Sequence, residues 1–166
     1  MTRSKVDRKR RFGVGALLVT PDQRYLMQLR DDAASVSMRA HWGLFGGLVE
    51  PGERPDRALV RELREELGLR VRGRVAPFTQ IHSDLGFAGR GTDRKIFYVV
   101  PITRAALRRL RQTEGRAMAL LSPAQLLRKQ RVVPWDLYGV LLHARRQTLA
   151  AVLLKHAPSR RKARRR

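Results

Sequence analysis

The chain has 166 residues, enough for one compact domain with a real core and too few to divide comfortably into two. It contains no cysteine, which excludes disulfides, thiolate metal sites and a cysteine nucleophile, and suits a reducing, cytoplasmic setting. No apolar run reaches the ~18 residues of a membrane span, while 36 basic residues against 14 acidic ones give a formal charge of +22, a field that attracts polyanions.

Residues 1–10 read as a flexible basic arm. TRSKVDRKRR followed by FGVGALLV has the charged and apolar parts of a signal peptide, but TPDQRYL follows where a small-residue cleavage site would stand. The apolar run is therefore taken as a first strand. YLMQLRD, beyond the turn signal PDQR, is expected to close a hairpin with it. Residues 31–41 read as a loop, and WGLFGGLVEPGE as an irregular, glycine-rich strand and turn.

Residues 54–67 are expected to be a helix, with Pro55 in its first turn and Gly68 stopping it. Strands are expected in RVAPFTQIHSD and RKIFYVVPIT, after which a connecting stretch rich in Arg and Leu leads to AMALLS. Ser122, Pro123 and Gln125 spell a capping-box start for a short helix. PWDLYGVLLHARRQTLAAVLLK reads as one long amphipathic helix, and SRRKARRR closes the chain. The domain is thus expected over 11–157 and a basic, disordered tail over 158–166. Strands interrupted by helices without regular alternation point to a mixed α/β or α+β fold. The basic ends suit contact with nucleic acid, although thirty of the 36 basic residues are arginine, a bias that codon composition alone can produce.

Six of the fourteen acids lie between Glu50 and Glu66. On a helical wheel, Leu59, Leu63 and Leu67 form an apolar stripe with Val60, and Arg54, Arg57 and Arg64 fall on a solvated side. Glu62, Glu65 and Glu66, at i, i+3 and i+4, share an adjoining face. Two arrangements suit three such carboxylates. One is a solvated face laced with intrahelical ion pairs; the other is a site for a hard divalent cation, Mg²⁺, Mn²⁺ or Ca²⁺.

Residues 47–69 resemble the signature of the Nudix hydrolases. Gly47, Glu53, Arg61, Glu62, Leu63, Glu65, Glu66, Gly68 and Leu69 match its nine specified positions at its fixed spacing. The resemblance implies an α/β/α sandwich with a mixed sheet. It also implies hydrolysis of a pyrophosphate bond in a nucleoside diphosphate derivative, with Mg²⁺ or Mn²⁺ as cofactor. Glu62, Glu65 and Glu66 would hold the metal with the Gly47 carbonyl, Glu53 and Arg61 would brace the loop against the helix, and Glu62 or Glu66 would serve as base.

TEGRAMALLS resembles a loop of the mutator-type nucleoside triphosphate pyrophosphohydrolases, the branch that clears 8-oxo-dGTP, which places Glu114 by the metal. The same branch suggests Arg30 as a phosphate contact and Asp136 as a reader of the base, the alternative for Asp136 being the N-cap of the last helix. Trp42 and Phe45 flank the glycines and could stack on a base or belong to the core. Phe45 departs from the family, many members of which have proline there. The first expected substrate is a nucleoside triphosphate, oxidised or not, followed by a nucleotide sugar or dinucleotide and then an RNA 5′ end. The rival from another class is a non-catalytic module that binds RNA or nucleotides. His41 and His82 are expected to be structural or exposed.

Overall fold

The computed structural model describes residues 11–35, 38–84 and 92–156. The expected arm at 1–10 and tail at 158–166 lie outside them. The first strand, β1 (Arg11–Val19), is buried continuously from Val14 to Val19, as befits a central strand covered on both faces. It turns into β2 (Tyr25–Leu29), with Val19 opposite Tyr25. Its other edge runs parallel to β5 (Thr92–Pro101), from Arg11 opposite Asp93 to Val19 opposite Pro101. β5 pairs antiparallel with β4 (Pro77–Asp84), and β2 with β3 (Trp42–Gly43) and β6 (Ala117–Leu121). The result is one mixed sheet of order β3-β2-β1-β5-β4, with β6 on β2.

Helices cover both faces, giving the expected α/β/α sandwich of the α+β type. On one face α1 (Pro55–Leu67) lays Leu59, Leu63 and Leu67, all fully buried, on Val14, Ala16 and Leu18. Burying each leucine contributes about 1.5–3 kcal/mol. Ala58, rather than the half-buried Val60, completes this stripe. Gly68 ends α1 in the left-handed region, φ 64°, its N–H returning to the Arg64 and Leu63 carbonyls. The opposite face packs Leu17, Val19 and Phe97 against Leu126 of α3 (Pro123–Arg128) and Val140 of α4 (Pro134–Ala144). α3 starts in the expected capping box of Ser122 and Gln125. A single turn, α2 (Arg104–Leu107), links β5 to β6.

The long C-terminal helix expected from the sequence is two helices. Arg145, at φ −100° and ψ 4°, separates α4 from α5 (Arg146–His156). At this break the Arg146 side chain donates to the His143 carbonyl at 2.7 Å. α4 is bound to the core through Asp136, Gly139, Val140 and His143 at helical spacing, whereas Leu149 and Val152 on α5 are exposed. Among the described residues no helix is long and apolar enough to cross a membrane.

Candidate active site

After β3 the chain passes from β2 to β1: Phe45 bridges to Ala16 and Leu48 to Gly13. This crossing carries the glycine pair. Gly46 has φ 125°, and a Cβ there would run into the backbone of Val14. The Gly47 carbonyl accepts the Val14 N–H at 2.9 Å, and a Cβ on Gly47 would overlap the Glu62 carboxylate. The pair is thus squeezed between β1 and the carboxylates of α1: Gly46 admits no side chain, and one on Gly47 would displace Glu62.

Glu66 is 4% exposed, on the buried side of α1 rather than on a solvated face. Its Oε2 accepts the Gly46 N–H at 2.8 Å and its Oε1 lies 3.4 Å from Gln28 Nε2. Burial pushes its carboxyl up to about 7, against the pull of those two donors; the nearby charges of Glu62 and Glu114 add to the rise. Burial likewise raises Glu62, opposed by Arg61 and assisted by Glu65 and Glu114.

Arg61 spends all five of its N–H donors. Nε and Nη2 fork onto Glu53 at 3.0 Å each, Nη2 also donates to the Leu48 carbonyl, and Nη1 reaches Glu62 at 2.9 Å and Glu65 at 3.2 Å. Glu53 also accepts the Glu50 N–H, and the Arg61 fork holds its carboxyl below the ordinary range. One guanidinium therefore ties the loop after the glycines to the helix.

Glu114 comes from the loop before β6. Thr113 pins that loop to the end of α1, its N–H donating to the Glu66 carbonyl and its Oγ1 to that of Glu65. The sequence suggested that Glu62, Glu65 and Glu66 would converge. Among the described residues no three acidic or histidine side chains are gathered in ligating geometry, because Arg61 holds Glu62 and Glu65 while Gly46 holds Glu66. The donor set nonetheless fits a hard divalent cation. It is all oxygen, neighbouring carboxylates add to the burial that raises Glu62 and Glu66, and glycine leaves the approach to Glu62 open.

Beside the glycines opens a cavity of about 700 Å³, reached by Gly47, Arg30, Lys95, Trp135 and Asp136 among others. Arg30, suggested by the sequence as a phosphate contact, is one of these lining residues. Three expectations are corrected. Asp136 is not the N-cap of α4; that position is Val133, and Asp136 is 2% exposed with its carboxylate turned to the Leu44 N–H at 2.9 Å and Lys95 Nζ at 2.6 Å. Each oxygen thus accepts one hydrogen bond from the protein, and Asp136 lines the cavity. Phe45 is wholly buried in the core beneath α1 and cannot stack on a ligand. Trp42 packs with the opposite core, its ring 4.7 Å from Lys129 Nζ, and does not line the cavity. Trp135 lines it instead.

Sequence reading also missed Lys95 and the buried His143, whose Nδ1 lies 2.8 Å from the Tyr25 hydroxyl. Gly13 and Gly15, two apart in an otherwise apolar strand, were the available signal that something approaches this face closely. His41 is held by the Arg39 carbonyl and His82 is exposed.

The family description of the NUDIX domain matches residues 9–141, and the chain belongs to the Nudix family. Nucleoside triphosphatase NudI of Escherichia coli O1:K1 / APEC is 49% identical over 51 residues, 31% of this chain and 36% of that protein. This chain therefore matches about a third of the length of that curated relative. The solution structure of the E. coli ORF135 protein is similar at a TM-score of 0.64 and 29% identity, over 84% of this chain and 93% of that one. The MutT protein from Methanosarcina mazei Go1 shares the fold at a TM-score of 0.67 and 17% identity, covering 86% and 98%.

Proposed function

We propose that this protein is a pyrophosphohydrolase that cleaves a pyrophosphate bond in a nucleoside diphosphate derivative, with a nucleoside triphosphate, oxidised or not, as first substrate and monophosphate and pyrophosphate as products. The observation that carries this reading is the placement of Glu62 and Glu66 against a glycine turn that opens into a cavity of about 700 Å³, with the charges of Glu65 and Glu114 near enough to act on them. The name of the NudI relative supports the choice of a triphosphate.

Those carboxylates, with the Gly47 carbonyl, would hold Mg²⁺ or Mn²⁺. When bound, the cation neutralises phosphate charge and orients the anhydride. Glu66, poised near 7, and Glu62, also raised, each suit removal of a proton from the attacking water. Arg61 and Glu53 keep the turn in register with the helix, and Arg30 lines the cavity with a guanidinium, a group suited to phosphate. Nucleotide sugars, dinucleotides and RNA 5′ ends contain the same anhydride and are the alternatives.

The test is product release from a panel of these compounds, with and without Mg²⁺, in the wild type and in Glu65→Gln and Glu66→Gln. Turnover confined to the wild type with metal is expected. Turnover that survives both substitutions contradicts the site. RNA or nucleotide binding without any turnover would favour a non-catalytic module.

A further inference from the structure

The cavity that receives the substrate in the reading above has an unusual polar floor. Lys95, on β5, sits opposite Gly13 on β1, so both face the side of the sheet that carries α4. Its stem crosses Gly15, where a Cβ would stand 2.7 Å from Lys95 Cε, and its ammonium lies 5.6 Å from the Phe97 ring centroid. The tip meets Asp136 Oδ1 at 2.6 Å, with the side chains 19% and 3% exposed. A buried ion pair is a weak source of stability, so its use here asks for another reason.

The donor and acceptor inventory supplies one. Asp136 has given Oδ1 to Lys95 and Oδ2 to the Leu44 N–H, and a Cβ on Gly43 would lie only 3.2 Å from Oδ2. It is walled in. Lys95 keeps two of its three protons and lines the cavity beside Val133 and Trp135. Lys95 therefore offers hydrogen-bond donors beside the apolar Val133 and Trp135, in a cavity that Ser83 and Asp93 also line. Arg30, the phosphate contact of the reading above, lines the same cavity, and Trp135 gives it a flat apolar surface on which a base could lie.

We propose that Lys95, positioned by Asp136, selects the nucleobase: the pocket takes bases that present a keto oxygen, guanine, uracil and thymine, over bases that present an amino group in its place, adenine and cytosine. A keto oxygen accepts the Lys95 proton, whereas an amino group sets donor against donor and leaves both unsatisfied once water is excluded. This rests on the cavity being the substrate site.

The test is equilibrium binding of GMP, UMP, AMP and CMP to the full chain without added metal, so that it does not depend on turnover. The wild type should bind the keto pair about tenfold or more tightly than the amino pair, and Lys95→Met should erase that ratio. Removing Lys95 strands the Asp136 charge, so Lys95→Met combined with Asp136→Asn provides the folded control and should erase the ratio equally. Asp136→Asn alone, which keeps the ammonium but loosens its anchor, should reduce the ratio without abolishing it. Equal binding of all four nucleotides by the wild type, a preference for the amino pair, no binding, or a ratio that survives loss of Lys95 overturns the proposal. Selective binding by a protein that hydrolyses nothing would instead leave base selection standing and remove the hydrolase reading.

Discussion

Glu66 Oε2 accepts the Gly46 N–H at 2.8 Å, so a nearly buried carboxylate stitches the last turn of α1 to the glycine turn. Its pKa near 7 exceeds the ordinary 4.5. Between these values the folded chain keeps a proton that the unfolded chain has lost, so stability falls as pH rises through that window and stays reduced above it. Metal-free Glu66→Gln should therefore gain on the order of 1–3 kcal/mol over the wild type at pH 8 and little at pH 4, read by denaturant unfolding. An equal change at both pH values contradicts this.

His143 should act in the opposite direction. Burial first, and Arg146 second, lower its pKa from 6.5 to about 4. The unfolded chain takes up a proton below pH 6.5 that the folded chain refuses until about 4, so stability is lost as pH falls through this range. His143→Gln should flatten that loss in a series of Tm measurements from pH 4 to 7. A slope unchanged from the wild type would remove His143 as its source.

Arg61→Lys keeps the charge and loses the fork. One ammonium cannot reach Glu53 twice while touching Glu62, Glu65 and the Leu48 carbonyl. Hydrolysis should fall by about tenfold or more, with Tm lowered by a few degrees. Full activity in the lysine variant would mean that the loop is positioned by something else.

Gly47→Ala should separate geometry from folding. Gly47 does not have a positive φ, but the new methyl group would press on Glu62. A displacement of about an ångström at a reacting centre can cost 10²-fold, so kcat/KM should fall by about that much while circular dichroism stays unchanged. Retained turnover would show that Glu62 need not approach the glycine turn.

Removing SRRKARRR should weaken RNA binding and flatten its dependence on salt while leaving nucleotide hydrolysis intact. An unaltered salt slope rejects a role for these residues in polyanion contact.

How much of this was legible in the sequence follows the range of the interactions. α1, its Gly68 stop and the Ser122 capping box rest on contacts within one helical turn, and the sequence announces them. The carboxylates were legible as a group because a helix fixes their spacing. Their partners were not: the Gly46 N–H that turns Glu66 inward lies twenty residues away, and Lys95 is 41 residues from Asp136. An acid near a helix start reads locally as a cap, and only the fold brings β5 close enough to claim it. Phe45 and Trp42 flank the glycines in sequence, yet the crossing from β2 to β1 sends their rings into opposite cores.

The most direct measurement of the central claim is Mn²⁺ uptake followed by electron paramagnetic resonance, with a nucleotide present, in the wild type and in Glu65→Gln and Glu66→Gln. The account predicts saturable uptake by the wild type, with affinity sharply reduced by either substitution. Uptake that is absent from the wild type, or identical in all three proteins, would contradict it.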